Sequence, residues 1–154
     1  MRILRRGLPR FRDQGDIRMK RIMGVDIGSV RIGIAVSDLL GITAQGVETY
    51  TRTGEGDAKY IADKAAELGA TLIVAGLPLN MNGSEGPAVE LVRAFMDEVG
   101  AFGIEVKYQD ERLTTVSAER TLLEADMSRE KRKKVIDKLA AVYILRTYLD
   151  TYGV

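Results

Sequence analysis

The sequence predicts an α/β domain in which helices cover both faces of a mixed five-stranded sheet. Five short apolar segments have the alternating or continuous pattern of strands, and apolar residues recur at helical spacing between and after them. The chain has 154 residues, 45% of them hydrophobic. This length and composition suit one compact domain with a substantial core, and they are too small for two large lobes.

The first two strands are predicted to form a hairpin. Residues 21–27 are an apolar run, and Gly28 and Ser29 supply the turn after it. In residues 31–37, isoleucine and valine alternate with small residues, so one face of this strand is apolar and the other carries only small side chains. Residues 45–50 predict a weaker third strand.

Helices and strands alternate through the rest of the chain. The predicted elements are, in order, a helix closed by Gly69, a buried strand over residues 71–78, a helix over 87–99, a strand over 103–109, a short helix over 117–125 and a long helix over 130–150. Pro87 lies in the first turn of its helix, and Ser84 or Gly86 is the cap. A hairpin and meander followed by right-handed crossovers places the first strand centrally. This order is that of the ribonuclease-H-like fold.

Cysteine and histidine are both absent from the sequence. Their absence excludes disulfides, thiolate or imidazole metal sites, serine–histidine triads and cysteine nucleophiles. Acid–base or metal chemistry must therefore rest on carboxylates, lysine, tyrosine or serine. No apolar run approaches the roughly 20 residues of a membrane span, and the start has no signal-peptide core, so a cytoplasmic protein without membrane contact is expected.

Asp26 is an aspartate inside the first predicted strand, between apolar neighbours. Burying a lone carboxylate costs several kcal/mol by rough estimate unless a cation or hydrogen-bond donors compensate it. A catalytic or metal-binding role is therefore predicted. The alternative is a structural acid bonded to the turn at Gly28 and Ser29.

Asp137 is a second carboxylate in an apolar setting. It shares a helical stripe with Ala140, Ala141, Ile144, Leu145 and Tyr148. The two small alanines predict a close approach of this helix to the sheet, which would bring Asp137 near Asp26. The alternative is an ion pair with Lys133 or Lys134 on the same helix.

Asp110 and Glu111 directly follow the fifth predicted strand, at the end of the sheet where α/β proteins bind their ligands. Because side chains alternate along a strand, only one of this pair need face Asp26 and Asp137. Three gathered carboxylates repel one another unless cations lie among them, and oxygen ligands alone favour Mg²⁺ or Mn²⁺. Two such ions about 3.5–4 Å apart can promote phosphodiester hydrolysis.

Two basic segments suggest nucleic acid as the partner, although the formal net charge is only +1. Residues 1–19 predict a flexible basic N-terminal extension before a nuclease domain over residues 20–154. Arg132, Lys133 and Lys134 lie one turn before Asp137 and could track a phosphate backbone. The alternative is a solvated helix face.

Further nucleic-acid contacts are predicted for two arginines and one loop. The arginines are Arg31 and Arg112. In the loop over residues 79–86, Asn80, Asn82 and Gly83 offer donors to phosphates beside a helix N-terminus. By default, such a loop is only a polar turn into the following helix.

Four segments carry a family resemblance: "DIGSVRIGIAVSD", "GLPLNMNGSEG", "DERLTT" and "VIDKLAAVYIL". In this order and spacing, from about Met19 to the end, the chain resembles the YqgF/RuvX family of Holliday-junction resolvases, also implicated in maturing the 5′ end of 16S ribosomal RNA. The resemblance implies a ribonuclease-H-like nuclease, a Mg²⁺ or Mn²⁺ requirement, and a catalytic set matching Asp26, the acid of "DER" and Asp137. Related RuvC-type enzymes take an acid from the fourth strand, whereas here that strand ends in "GLPLN".

The sequence therefore predicts a metal-dependent endonuclease, with catalytic candidates Asp26, Asp110, Glu111 and Asp137 and metal ligands Asp26, Glu111 and Asp137. Its expected substrate is precursor 16S rRNA or branched DNA, and it acts as a monomer or homodimer. Actin-like ATPases and sugar kinases share the "D-x-G-x-x-x-x-G" pattern, but they need two domains around the nucleotide. A non-catalytic RNA-binding module would need exposed aromatic residues, and the chain has only three Phe, six Tyr and no Trp.

Overall fold

The computed structural model describes residues 20–111 and 129–152. Three predictions lie outside the described residues: the basic extension over residues 1–19, the short helix over 117–125 and the nucleic-acid contact by Arg112. The side chain of Arg132 also lies outside the described part. In the described ranges, no helix combines the length and the hydropathy that a membrane span requires.

The sheet has five strands in the order β3-β2-β1-β4-β5. The strands are β1 (Arg21–Ile27), β2 (Arg31–Ser37), β3 (Ala44–Thr51), β4 (Ala70–Leu77) and β5 (Glu105–Asp110). The β1–β2 and β2–β3 pairs are antiparallel, whereas the β1–β4 and β4–β5 pairs are parallel. The predicted mixed sheet with a central first strand is confirmed.

The fifth strand begins later than predicted. Gly103 belongs to a turn, since its φ is 102° and its N–H donates to the Gly100 carbonyl at 2.9 Å. The sequence alone does not distinguish this turn from the start of a strand, because the apolar Ile104 follows Gly103 directly. The other strand boundaries differ from the prediction by a single residue or agree with it.

The helices are α1 (Asp57–Leu68), α2 (Pro87–Gly100) and α3 (Arg129–Tyr152). Gly69 ends α1 in a left-handed conformation, with φ 73°. Of the two predicted caps for α2, the structure has Gly86, with Pro87 in the first turn.

The helices lie on both faces of the sheet, as predicted. On one face, α1 and α2 cover the larger core, whose strand residues include Val25, Ile34 and Ile73. On the other face, α3 packs against β1, β2, β3 and β4. The α3 residues Ala140, Ala141, Ile144, Leu145 and Tyr148 are all buried, which confirms the predicted apolar stripe.

Asp57 organises the connection between β3 and α1, and the sequence reasoning did not single it out. The side chain is 2% exposed and accepts hydrogen bonds from the Tyr50 hydroxyl at 2.8 Å and from the backbone N–H groups of Thr53 and Gly54 at 2.9 and 3.0 Å. Arg52 also contacts Asp57, at 3.3 Å, and its Nη1 donates to a carbonyl of the β1–β2 turn at 2.9 Å. This network therefore ties the start of α1 to the end of the strand that carries Asp26.

Candidate active site

Asp26 lies near the end of β1 on the face of the sheet that α3 covers. Its partner across the β1–β2 ladder is Gly33, and the β1–β4 register places Gly76 on its other side. The side chain is partly buried. A row of three neighbouring strand positions therefore carries one carboxylate flanked by two residues without side chains.

Gly33 allows the backbone of α3 to rest directly on β2. A Cβ built at Gly33 would stand only 1.9 Å from the carbonyl oxygen of Asp137. One turn further along the helix, the Ala141 carbonyl oxygen approaches Gly24 in the same way, at 3.1 Å from a built Cβ. The close approach expected from the small residues of α3 is thus present, and it places Asp137 over the residue paired with Asp26.

Gly76 has the corresponding position on β4, and the side chain of Glu111 covers it. A Cβ built at Gly76 would lie 2.7 Å from Glu111 Cγ and 2.6 Å from Ile144 Cδ1. Asp110 pairs with Leu77, whose side chain belongs to the core under α1 and α2. Strand alternation therefore puts Glu111 on the same face as Asp26, and Asp110 on the opposite face.

The three carboxylates of Asp26, Glu111 and Asp137 thus lie on one face of the sheet, around the row formed by Gly33 and Gly76. They come from β1, the end of β5 and α3. Their donor atoms are all oxygens, the type that Mg²⁺ and Mn²⁺ prefer. Across residues 20–111 and 129–152, however, no three acidic side chains are close enough together to hold a single ion. The donor type fits a divalent cation, while the spacing of these carboxylates in the described residues is wider than a closed site.

Asp137 forms an ion pair with Arg31, in which Nε of Arg31 lies 2.7 Å from Oδ2 of Asp137. The alternative considered from the sequence was an ion pair with Lys133 or Lys134 on the same helix, whereas the observed partner comes from β2. Both side chains are partly buried, at 25% and 21% exposure. Arg31 was predicted to contact nucleic acid, and in the structure its side chain is paired with one of the candidate site carboxylates.

The basic residues Lys131, Lys133 and Lys134 are exposed near the start of α3. The hydroxyl of Thr49 on β3 donates to the carbonyl of Lys134 at 2.6 Å, which anchors this part of the helix to the sheet. The lysine side chains project from a fixed helix beside the carboxylates, as a phosphate-binding surface would require.

The loop after β4 is held together by its own polar groups. The side-chain amide of Asn80 donates to Ser84 Oγ at 2.9 Å, and Oδ1 of Asn82 accepts from the backbone N–H of Ser84 at 3.0 Å. The N–H of Gly83 donates to the Asn80 carbonyl at 2.8 Å, and Gly83 has φ 87°. Several of the donors predicted for phosphate binding are therefore engaged in ordering the loop, although Asn80 and Asn82 remain exposed.

A cavity of about 520 Å³ lies at the ends of β1 and β4, next to the first turns of α2. Its lining is mostly apolar and includes Ile27, Pro78 and Leu91. The turn residues Gly28 and Ser29 also line it, on the part of the chain that resembles a nucleotide-binding turn.

Two residues that shape the site were not singled out from the sequence: Gly33 and Gly76. The available signal was a glycine inside an otherwise apolar strand, which indicates close approach of another part of the chain. What approaches each glycine, α3 in one case and Glu111 in the other, was not visible in local sequence. Of the aromatic residues in the described part, Phe102 and Tyr152 are strongly exposed, at 57% and 67%, and the rest are buried or half-buried.

The mixed sheet, the helices on both faces and the carboxylates at the end of the central strand define a ribonuclease-H-like domain with an acidic site. The family model described as "RuvX: Holliday junction resolvase" matches residues 20–151, and the chain belongs to this family. This finding confirms the resemblance carried by the four sequence segments.

Several curated relatives are similar over most of their length. A protein of Clostridioides difficile (strain 630) is 57% identical over 132 residues, which cover 84% of this chain and 94% of the relative. A protein of Myxococcus xanthus (strain DK1622) is 52% identical over 134 residues, covering 86% and 89%. Both carry the name "Putative pre-16S rRNA nuclease".

Among solved structures, the chain is similar to "T. thermophilus RuvC in complex with Holliday junction substrate". The TM-score is 0.50 with 12% sequence identity, and the match covers 87% of this chain and 96% of that chain. At this identity the similarity concerns the fold, and it confirms the ribonuclease-H-like architecture predicted from the order of elements.

Proposed function

We propose that this protein is a divalent-metal-dependent endonuclease that hydrolyses phosphodiester bonds in structured nucleic acid. One observation carries the proposal: Asp26, Glu111 and Asp137 come from three distant segments and share one sheet face, where two glycines clear the space around them. In a domain without histidine or cysteine, carboxylates are the groups available to hold a metal ion. Family membership supports action on nucleic acid.

In this proposal, Asp26, Glu111 and Asp137 hold Mg²⁺ or Mn²⁺. When bound, the ions supply an activated water and charge stabilisation at the leaving oxygen. Asp110 lies on the opposite face from these residues, which leaves it without a direct ligand role. The exposed Lys133 and Lys134 bind phosphates of the substrate and orient its backbone toward the carboxylates.

The substrate we favour is precursor 16S rRNA, cut at or near its 5′ end. Support comes from the curated relatives, which are 52–57% identical and are named for this activity. A cytoplasmic location, expected from the sequence, suits this role. A four-way DNA junction is the second candidate, because the family model is described as a Holliday junction resolvase. Junction resolution requires two active sites related by a dyad, and hence a homodimer, whereas RNA cleavage is possible for a monomer.

The experiment that tests this function compares cleavage of a structured precursor-rRNA fragment and a synthetic four-way junction by the purified chain. Each substrate is incubated with Mn²⁺, Mg²⁺ or a chelator. Asp26→Asn removes one ligand charge with little change of shape, and Asp63→Asn is the matched control because Asp63 is an exposed residue of α1 paired with Lys59. Metal-dependent cleavage that Asp26→Asn abolishes and Asp63→Asn retains is the expected result.

Cleavage of RNA alone would identify a processing nuclease, and symmetric nicking of the junction would identify a resolvase. Binding of RNA without cleavage under any metal condition would contradict the proposal and favour a non-catalytic RNA-binding module. Equal cleavage by Asp26→Asn and the native chain would also contradict it. ATP binding by the native chain without any cleavage would favour the actin-like alternative.

A further inference from the structure

Arg31 and Asp137 are 106 positions apart in the sequence, yet their side chains link β2 directly to α3 through a contact of 2.7 Å. Their contact follows from the fold. Gly33 lies two residues after Arg31 on the same face of β2, and the Asp137 backbone rests on it. The packing of α3 on β2 at this point therefore brings the side chains of Arg31 and Asp137 into contact.

This ion pair has a consequence for Asp137 as a metal ligand. A carboxylate oxygen that accepts a charge-assisted hydrogen bond from a guanidinium at 2.7 Å has its negative charge compensated. A divalent ion that approaches the same oxygen competes with the guanidinium for its charge. A guanidinium close to such an ion also repels it, and this repulsion is stronger at a partly buried position than in bulk water.

We propose that Arg31 and the divalent ion compete for Asp137, so that Arg31 acts as an internal counter-ion that the metal replaces. The inference rests on the proposed function. It accounts for a feature that the proposed function leaves unexplained, namely that the acidic side chains of the described segments share a face and yet are too far apart to hold one ion. Arg31 is thus a positioning residue that acts through Asp137.

The exchange also gives Arg31 a second position. When the ion holds Asp137, the guanidinium is released beside the carboxylates, where its planar donors match a phosphate of the substrate. The nucleic-acid contact predicted for Arg31 would then be available only with the ion bound. Removal of Arg31 should accordingly strengthen ion binding while it slows cleavage, two effects in opposite directions.

The test is a direct measurement of Mn²⁺ binding to the full chain, by the electron paramagnetic resonance signal of free Mn²⁺ and by titration calorimetry. Arg31→Gln removes the competing charge, and we expect it to bind Mn²⁺ about tenfold more tightly than the native chain. Arg93→Gln is the matched control. Arg93 is also paired with a carboxylate, that of Glu85 at 2.9 Å, but it lies on α2. Arg93→Gln should leave Mn²⁺ affinity unchanged.

Two further variants distinguish the loss of the Arg31 charge from a defect in folding. Arg31→Met keeps the aliphatic stem of the side chain and removes the charge, so it should match Arg31→Gln in Mn²⁺ affinity. Arg31→Lys retains a cation and should return the affinity toward that of the native chain. Circular dichroism and thermal unfolding in chelator establish that each variant is folded before the titration.

Unchanged or weaker Mn²⁺ binding by Arg31→Gln and Arg31→Met would contradict the proposal that Arg31 competes with the ion. It would indicate instead that Arg31 only holds the Asp137 side chain in place. Asp26→Asn separates this failure from failure of the proposed function. If Asp26→Asn weakens Mn²⁺ binding while the Arg31 variants do not strengthen it, the proposed metal site is supported and the proposed competition by Arg31 is contradicted. If neither the native chain nor any variant binds Mn²⁺, both proposals fail.

Discussion

The carbonyl oxygen of Asp137 lies against Gly33 so closely that an added Cβ would stand 1.9 Å from it. The atom in the way is helix backbone, which cannot rotate aside as the end of a side chain can. Gly33 therefore sets the distance between α3 and the sheet at the level of Asp26, its partner in the β1–β2 ladder. The position of Asp137 relative to Asp26 therefore depends on the absence of a side chain at Gly33.

Gly33→Ala should lower the free energy of unfolding by about 3 kcal/mol, at the upper end of the range for overpacked cores, because α3 must move away from β2. Urea denaturation monitored by circular dichroism measures the change. The control is Gly100→Ala at the end of α2, where a Cβ would make an ordinary van der Waals contact with Val106 Cγ2, at 3.7 Å. Native stability in Gly33→Ala would show that the helix does not rest on this glycine.

Gly76→Ala should separate activity from stability. Its Cβ would meet Glu111 Cγ at 2.7 Å and Ile144 Cδ1 at 2.6 Å, and both are side-chain atoms that can shift. We expect a stability loss of about 1–2 kcal/mol and, because Glu111 is displaced, a fall in cleavage rate of about 100-fold. The cleavage assay with thermal unfolding of the same samples measures both effects.

Gly46→Ala is the matched control for Gly76→Ala. A Cβ there would meet Lys138 Cγ at 2.7 Å, again a movable side chain, but on β3 and away from Glu111. Similar stability losses with a much smaller loss of cleavage in Gly46→Ala are expected. Parallel losses of cleavage in the two variants would remove Glu111 from the proposed site.

Asp57→Asn should destabilise the fold and flatten its acid dependence. Burial alone would raise the pKa of Asp57, but hydrogen bonds from Thr53, Tyr50, Gly54 and Arg52 outweigh burial and hold this pKa below its ordinary value. A lowered folded-state pKa contributes stability that is present above the unfolded carboxyl pKa of about 3.9 and is lost as the pH falls below it.

The native chain should therefore lose stability between about pH 5 and pH 2 more steeply than Asp57→Asn, which starts roughly 2 kcal/mol lower at pH 7 because buried hydrogen bonds are impaired. Urea denaturation at a series of pH values measures both. Asp63→Asn, on the same helix but 64% exposed, should follow the native curve. Parallel curves for the native chain and Asp57→Asn would refute the assigned role of the carboxylate.

Replacement of Lys133 and Lys134 by glutamine should weaken nucleic-acid binding and its salt dependence together. If both contact phosphates, the slope of log affinity against log salt should become shallower by about 1.4–1.8, the range between single-stranded and duplex values. Fluorescence anisotropy over a salt series measures the slope. Lys59→Gln, on α1 at the other face of the sheet, should not change the slope. An unchanged slope in the double variant would favour the alternative, in which Lys133 and Lys134 only form a solvated helix face.

Local patterns were sufficient for much of the fold. Residues 21–27 and 31–37 were predicted as strands with their observed boundaries, because alternation and a glycine turn are properties of adjacent residues. The apolar stripe of α3 was likewise visible at helical spacing. The two misplaced acids, Asp26 and Asp137, were found because a carboxylate among apolar residues conflicts with its own surroundings.

Local patterns left the choice between Asp110 and Glu111 open, since alternation states only that they point to opposite faces. The packing of α3 and the position of Gly76 assign Glu111 to the face of Asp26. The ion pair of Asp137 was missed for a similar reason. Lys133 and Lys134 were the neighbours that helical spacing could offer, while Arg31 is brought in from β2 by the fold.

By itself, then, the sequence determined the order and type of the elements, the absence of histidine and cysteine side chains and the family, because each of these depends on composition or on residues close together in the chain. The tertiary structure alone decided which acids share a face, which cation accompanies Asp137 and how closely α3 approaches β2. These depend on contacts between residues as far apart as Arg31 and Asp137, and such contacts exist only after the sheet and its covering helix have packed together.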